Sequence, residues 1–595
     1  MAQACALVYS FNGENLSEGD EAELARIARL IGATADQAYR AVAELLRRDL
    51  AQRRGKWRAI LPHALANRLA ATALQNVPFA RIVECLINGA PERLTMSFSR
   101  RLGYLDTSAE ATTIVRDWLD PKGWIGSHIW NLNEFGKTVF QNSLPANPNA
   151  GLHALETNLP AHDTDTPITT GHYVPKVLRS MAWDSVLFER CIFLLQILAI
   201  HGEESIAKEA NEMHTSLFYL YLSGTLATAE QRATIVKTLL NSPNSYERAL
   251  GFTALDAMLE SMHFSSHYDF QFGGHSRDYG YRPRTYGDVA HWYMTAFAVA
   301  EEIALSSGAG ASAAKAAIAA NFRGLWTCAG LRVELESISA TFAAQGFWRD
   351  GWSAVKQTRY FDEKVKTSDN YARLSKLEEL LRPRDLVQRV RGRVLASKQT
   401  FHDIYELDTD DPRKFQLAMD RQNDEATALG SEVANDSAAL QALMPEIVGG
   451  HGNLFYFGLG LVRGSKRPKE LWYEMEGQLA QTPVGSRDVR AFCGMLSELD
   501  TNKSELPDGL LDEALQKEPL APHFPSLQAA VEITPRGMAR LIRSIELGKV
   551  PIYAYGNIHL GRAIEVVPAE DVARYLSTLA KAPDGEVTAI LVLSM

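Results

Sequence analysis

The sequence predicts a mainly α-helical protein: a winged helix-turn-helix with a β-hairpin wing, followed by an irregular HEAT-like α-solenoid. The first observation is a β-hairpin pattern over residues 50–61 that runs directly into a helix. The second is a long series of amphipathic helices after residue 173, joined by short turns that carry Gly, Pro, Asn or Asp. Convincing strands are nearly absent beyond the hairpin.

The winged helix is predicted within residues 1–75 and begins with two short helices. Residues 20–31 and 35–48 carry apolar side chains at helical spacing, and Gly32 ends the first helix. Thr34 is placed to cap the second helix. If these elements pack as one domain, a shared core is expected from Leu45, Leu46, Trp57 and Leu65.

The wing is predicted from two short alternating runs, residues 50–54 and 57–61. Gly55 and Lys56 lie between them, and glycine accepts the positive φ that a tight turn needs. Pro62 then suits the first turn of a helix, where its missing N–H costs nothing.

The remaining chain divides by composition. Residues 76–161 are predicted as a helical linker domain, and the polar, turn-rich tract 162–172 is the best candidate linker. Residues 173–595 form the predicted solenoid, with a possible sub-boundary near 398–411. No strict repeat period is visible, so irregular HEAT-like pairing is expected.

Residues 587–593 are apolar almost to the end, so we expect them to fold back as a strand or to be covered by more chain.

Composition limits the function classes. The chain has 595 residues, 46% hydrophobic and 22% charged, which is typical of soluble proteins. Its formal net charge of -10 argues against generic nucleic-acid binding, so any such binding must be local. The five cysteines are widely spaced without a CxxC pair, so neither a disulfide scaffold nor a thiolate zinc site is supported, and a cytoplasmic location is expected. No apolar run reaches the ~20 residues of a membrane span, so no membrane association is predicted.

The segment after the hairpin resembles the Met-His-Asp-Leu motif of the STAND ATPases, a family of signal-transducing NTPases. In that family the motif also begins the helix after a wing. His63 and Leu65 match it, whereas Pro62 and Ala64 occupy the Met and Asp positions. The resemblance implies that His63 contacts the terminal phosphate of bound ADP and senses the nucleotide state. The alternative is a histidine that makes a local hydrogen bond at the start of its helix.

A looser similarity extends to large bacterial STAND-type proteins of the antiphage-defence kind. It is carried by residues 47–50, 57–59, 62–64 and 97–105. The resemblance implies the regulatory and sensing segment of such a system. The winged helix would relay the nucleotide state, and the solenoid would bind a trigger or a protein partner.

A P-loop is not predicted in this chain. The nearest string ends in Gly136, Lys137 and Thr138, but Asn131 replaces the first glycine and no hydrophobic strand precedes it. Asn133 is better explained as the N-cap of a helix over 134–141. No Ser/His/Asp, Cys/His or paired-carboxylate arrangement stands out either. We therefore expect no catalytic residue and no cofactor in this chain, with ADP or ATP bound only if an NTPase core is supplied upstream or in trans.

The wing carries a basic cluster, composed of Arg53, Arg54, Lys56 and Arg58. These residues could contact DNA phosphates, an NTPase core with its nucleotide, or only solvent along a charged hairpin edge. Packing against another part of the system is favoured over DNA, because the candidate recognition helix 35–48 has mixed charge. A DNA-binding regulator and a solenoid scaffold without a nucleotide role remain as alternative functions.

Residues 263–284 form the longest predicted non-helical insert in the solenoid. Its three histidines and two aspartates match no metal-ligand spacing, so no metal site is predicted. The loop is a candidate binding loop because Arg and Tyr are favoured anchor residues; the residues concerned are His275, Arg277, Tyr279, Tyr281, Arg282 and Arg284. The alternative is a loop held by its own aromatic side chains.

Overall fold

The computed structural model of the protein describes residues 1–163, 166–266, 268, 271–362, 368–395, 412–558 and 567–594. The described chain is mainly helical, with a small three-stranded antiparallel sheet. The predicted mainly α class is therefore confirmed. The chain divides into two compact units, Met1–Arg332 and Val333–Met595. The predicted boundaries at 75 and 161–173 stay predictions, and the one at 398–411 lies outside the described residues.

The first unit is built from short and medium helices. They are Ala2–Ala6, Glu23–Arg29, Ala35–Arg47, His63–Asn76, Phe79–Leu86, Glu92–Leu102, Ala109–Leu119, Glu134–Ser143, Pro148–Thr157, Val174–Met181, Phe188–His201, Glu204–Ser216, Ala229–Leu240, Ser245–Leu259, Tyr286–Leu305 and Ala311–Thr327, with 3-10 turns at Gly126–His128 and Leu144–Ala146.

The sheet lies near the start of the chain. It contains β1 (Phe11–Asn12), β2 (Ala51–Arg54) and β3 (Trp57–Ile60), in the order β1-β3-β2. The predicted hairpin is therefore present as β2 and β3, with Arg53 opposite Arg58. Strand β1 was not predicted, and its antiparallel pairing with β3 makes β3 the central strand of the sheet.

Two predicted helix caps are confirmed. The Thr34 hydroxyl accepts a hydrogen bond from the Gln37 N–H, and the Gln37 side chain reciprocates to complete a capping box. The Asn133 side chain accepts from the Gly136 N–H at 2.8 Å, so Gly136 and Lys137 belong to an ordinary capped helix.

The predicted series of helices after residue 173 begins with two separate helices, Val174–Met181 and Phe188–His201. Between them the Asp184 carboxylate accepts from the Val186 N–H at 2.9 Å, and the Trp183 carbonyl accepts from the Leu226 N–H. These bonds favour a turn over a continuous helix.

The candidate linker 162–172 is tied to its neighbours where the structure describes it. Ile168 is buried, its N–H donates to the His201 carbonyl, and its own carbonyl accepts from the Glu203 N–H. Residues on both sides of the tract therefore lie in the same compact unit.

The second unit is also helical. Its helices are Arg332–Gln345, which begins at the boundary, Arg349–Asp362, Asp369–Leu381, Leu386–Arg393, Pro412–Ala434, Ser437–Gly449, Leu454–Gly464, Pro468–Gln481, Arg490–Thr501, Leu506–Ala514, Phe524–Gln528, Pro535–Leu547, Ala569–Lys581 and Gly585–Ser594, with 3-10 turns at Val484–Ser486, Ala521–His523 and Ile552–Asn557. Residues 587–593 are therefore helical, and the expectation of a strand there is wrong.

Three of these helices approach one another backbone to backbone. A Cβ atom at Gly460 would lie 1.9 Å from the Thr427 carbonyl oxygen, and one at Gly494 would lie 1.9 Å from the Phe455 carbonyl oxygen. Only glycine fits at these two crossings, which set the spacing of the core of the second unit.

Among the described residues, no helix is both long and apolar enough to cross a lipid bilayer.

Candidate functional site

His63 is the first residue of the helix His63–Asn76, directly after the hairpin. It is exposed, and no side chain caps the start of this helix. The uncapped N–H groups carry the positive end of the helix dipole. An anion near His63 would therefore be stabilised by the helix as well as by the imidazole.

Tyr9 covers one side of His63. The two rings stack with centroids 5.2 Å apart and an interplanar angle of 18°. The Tyr9 hydroxyl lies 3.4 Å from His63 Nε2, and the Tyr9 N–H donates to the Ser97 carbonyl at 3.0 Å. This contact joins residues 54 positions apart and is therefore not the local hydrogen bond given as the alternative for His63; the imidazole remains exposed.

Two arginines complete the arrangement. The Arg100 guanidinium lies 3.9 Å from the centroid of the Tyr9 ring, and the Arg101 guanidinium lies 5.5 Å from it. Arg100 is exposed, whereas Arg101 is only 1% exposed. We call Tyr9, His63, Arg100 and Arg101 the Tyr9 cluster.

Arg101 is incompletely hydrogen-bonded. Its Nη1 donates to the Asn67 side-chain oxygen, but its Nε and Nη2 are buried and have no hydrogen-bond partner. Burial lowers the pKa of Arg101 to about 10, so the group is still charged at neutral pH.

The cluster has a cationic local field. Burial, followed by the nearby charges of Arg101 and Arg100, lowers the pKa of His63 below its usual range. The imidazole is therefore neutral at pH 7, where it can donate one hydrogen bond and accept another. The arrangement is suited to binding an oxyanion.

Sequence reasoning identified His63 but not its neighbours. Arg100 and Arg101 belong to the stretch 97–105 that carries the looser resemblance, yet no role was assigned to them. Tyr9 lies in no recognisable motif and reaches His63 only through the fold. The helix Glu92–Leu102, which carries both arginines, was also not predicted.

The structure separates the four basic residues of the hairpin. Arg53, Arg54 and Lys56 are exposed, and Arg53 lies 3.3 Å from the Glu14 carboxylate. Arg58 is buried instead, and its guanidinium donates to the carbonyls of Gly55 at 2.6 Å and Trp57 at 3.0 Å. Arg58 therefore stabilises the hairpin and does not face a ligand.

Trp57 lies between two cations and is only half-buried. The guanidinium of Arg93 is 4.5 Å from its ring centroid, and Lys56 Nζ is 5.0 Å away. The predicted core of Leu45, Leu46, Trp57 and Leu65 is wrong in this respect, because all four side chains are partly accessible.

The candidate binding loop is held to the body of the first unit. It contains two short strands, β4 (Gln271–Phe272) and β5 (His275–Ser276). Arg277 stacks on Phe272 at 3.9 Å and on Trp183 at 4.8 Å, and Tyr281 stacks on Trp292 with centroids 5.7 Å apart. These contacts favour the alternative in which the loop is held by its own aromatic residues.

The other proposed loop residues are more accessible. Tyr279, Arg282 and Arg284 are exposed, while the side chain of His275 lies outside the described part of the structure. Nowhere in the described residues do three or more His, Cys, Asp and Glu side chains come together as a possible metal site. His267 and Asp269 are not among those residues.

No family model matches the chain, and no curated protein matches its sequence. The geometry around His63 and the motif that contains it are therefore the basis on which a function can be proposed.

Proposed function

We propose that this chain is the regulatory and sensing segment of a STAND-type NTPase signalling system, of the kind used in bacterial antiphage defence. In this proposal the sheet and helices of residues 1–75 form a winged helix. His63 faces the terminal phosphate of a nucleotide held by an NTPase core, which another segment or chain supplies. The observation that carries the proposal is the exposed imidazole at an uncapped helix start, directly after the hairpin and beside two guanidinium groups.

The physical argument is that each of these features favours an anion. The helix start offers N–H donors and a positive dipole end, and Arg100 adds a full charge within reach of solvent. A neutral imidazole can donate to a phosphate oxygen without first being protonated. Contact with ADP on the core would then hold the winged helix in a closed, resting position.

The solenoid has the partner-binding role in this proposal. The helices that follow residue 173 would pair in a HEAT-like arrangement within each unit and would offer surfaces to a trigger or protein partner. The exposed loop side chains Tyr279, Arg282 and Arg284 are the candidate contacts on these surfaces.

The test is His63→Ala in the complete system that contains the NTPase core. One charge-assisted hydrogen bond is worth ~1.5–3 kcal/mol, so its loss should shift the closed-to-open ratio by roughly 10- to 150-fold. We expect weaker ADP retention and a higher basal output. The matched control is His153→Ala, an exposed histidine in the helix Pro148–Thr157. Normal ADP retention in the His63 variant would contradict the sensor role and favour a scaffold.

The chain alone is expected not to hydrolyse ATP. Gly136 and Lys137 lie in a capped helix, and the Lys137 ammonium is paired with Glu134 at 2.7 Å. ATP turnover by the purified chain that Lys137→Ala abolishes would contradict this expectation.

A second candidate function is duplex DNA binding through the hairpin. The exposure of Arg53, Arg54 and Lys56 favours it. The chain would then bind duplex DNA with a steep salt dependence, and neutralising each of the three residues would reduce the slope by about 0.9. Binding that is undetectable at low salt would exclude this function.

A further inference from the structure

We propose that the Tyr9 cluster is a closed site for a phosphoryl anion, in which Arg101 is the buried cation and the Tyr9 ring is the cover. This inference rests on the proposed function and deepens it, because it identifies the residues that bind the phosphate beside His63. The site lies on this chain, so it can bind an anion without an NTPase core.

Arg101 differs from the other buried arginines of the first unit. Arg232 donates to the carbonyls of Leu217, Tyr219, Thr225 and Ala227, all within 3.4 Å. Arg26 similarly binds five backbone carbonyls of the first unit. Arg101 has a single amide partner, and two of its nitrogens have none. A buried charge with unsatisfied donors is rare in folded proteins, and a bound anion is one of the few arrangements that would satisfy it.

The position of Arg101 connects it to the helix start. Its partner Asn67 lies four residues after His63, so the two side chains share one face of the helix His63–Asn76. Arg100 and Arg101 come from the neighbouring helix Glu92–Leu102. Two guanidinium groups and one imidazole, with an uncapped helix start, are thus grouped around one tyrosine ring.

The Tyr9 side chain is suited to act as the cover. Its ring faces the Arg100 and Arg101 guanidinium groups and stacks on His63, so it occupies the space that an anion would need. An aromatic face attracts a cation but supplies no hydrogen-bond acceptor to the free N–H groups. The Tyr9 main chain is fixed to the Ser97 carbonyl, so in this proposal the side chain, which also stacks on Tyr104 with centroids 5.9 Å apart, is the part that moves to admit an anion.

The chemistry favours phosphate over other anions. Guanidinium groups bind the oxygens of a phosphate through paired hydrogen bonds, and the imidazole can donate a further one. The phosphoryl group can come from free phosphate or from the terminal phosphate of a nucleotide. Both sources have the same chemistry at this site, and the experiment distinguishes them.

The experiment is calorimetric titration of the full chain with inorganic phosphate, ADP and adenosine, without an NTPase core. Tyr9→Ala removes the cover, so we expect phosphate or ADP to bind this variant about tenfold more tightly than the parent chain. In the Tyr9→Ala background, Arg100→Gln and Arg101→Gln should each weaken binding by roughly tenfold or more. Arg116→Gln, an exposed arginine on the next helix, is the matched control and should have no effect.

The outcomes distinguish free phosphate from a nucleotide as the source of the phosphoryl group, and they show whether the anion site exists. Binding of both phosphate and ADP supports the site, and binding of ADP alone supports it with the nucleotide as the source. Adenosine binding as tight as that of ADP, no detectable binding at millimolar ligand, or binding unaffected by the arginine variants would overturn the inference. If Arg101→Gln does not fold, the exposed Arg100→Gln still decides the result.

This result is distinct from that of the function test. Phosphate can bind the isolated chain even if His63→Ala leaves ADP retention by the complete system unchanged. In that case the sensor role would fail and the anion site would stand.

Discussion

The two compact units differ in the number of their buried arginines and in the partners that these arginines bind. Of the arginines in the described residues, those buried in the first unit are Arg26, Arg58, Arg101, Arg179 and Arg232, whereas the second unit buries only Arg540. Except for Arg101, those of the first unit bind backbone carbonyls. Arg540 pairs at 2.6 Å with each of two carboxylates, Asp508 and Asp512, and also donates to the Asp508 carbonyl at 2.9 Å.

The difference follows from the irregular segments of the first unit. The carbonyls of residues 217–227 lie outside regular helix, and buried carbonyls need a donor. Arg232 supplies several donors at once from a single side chain. In the second unit Arg540 lies on the helix Pro535–Leu547, and its two carboxylate partners lie on the helix Leu506–Ala514. Arg101 has neither kind of partner, since its one hydrogen bond goes to the Asn67 side chain.

The largest effect is expected from Arg232→Met. It would leave the carbonyls of Leu217, Tyr219 and Ala227 without their donor, at a cost of about 3–5 kcal/mol in the free energy of unfolding. Urea unfolding of the full chain measures this change. The exposed Arg282→Met is the control, and equal stability of the two variants would refute the idea that buried guanidinium groups hold the irregular segments.

The second largest effect is a loss of stability on acidification, caused by the buried imidazole of His214 in the first unit. His214 is fully buried, neither ring nitrogen has a hydrogen-bond partner, and burial lowers its pKa from 6.5 to about 4. The pKa of His214 is lower in the folded state than in the unfolded state. Its contribution to the free energy of unfolding is therefore complete above pH 6.5 and is lost as the pH falls towards 4. Below pH 4 the resulting loss in the free energy of unfolding approaches roughly 3 kcal/mol.

His214→Leu should remove this part of the acid sensitivity. Urea midpoints at pH 7 and pH 4.5 measure it, with the exposed His153→Leu as the control. If the parent and the His214 variant lose the same stability on acidification, His214 does not titrate as described.

A smaller effect is expected from Arg540→Met in the second unit. Its partners Asp508 and Asp512 are 50% and 43% exposed, so water can replace the lost cation. We expect a loss of about 2 kcal/mol, less than for Arg232→Met. The exposed Arg543→Met is the control, and a loss in the Arg540 variant as large as that in the Arg232 variant would remove the distinction between the units.

The smallest effect is expected from Trp57→Ala. The ring is half-buried and is flanked by Arg93 and Lys56, and each exposed cation–π contact is worth about 0.5–1 kcal/mol. A loss of about 1 kcal/mol in thermal or urea unfolding is therefore expected, and Trp57→Phe should recover part of it. Unfolding of the hairpin region by the alanine variant would instead restore the interpretation of Trp57 as a core residue.

The sequence by itself determined the local elements. Helical spacing, the caps at Thr34 and Asn133 and the turn at Gly55 place the hairpin and most helices, because these signals act within a few residues. His63 could likewise be selected from its position after the hairpin.

Only the tertiary structure decided which charged side chains are buried. Arg53 and Arg58 lie opposite each other in the hairpin, yet Arg58 is buried because β1 makes its strand the central one. Tyr9 stacks on His63 from 54 positions away, and the orphaned donors of Arg101 depend on which neighbours pack over it. Burial and pairing of this kind depend on contacts between residues that are distant in the chain. The local periodicity of a sequence carries no information about such contacts.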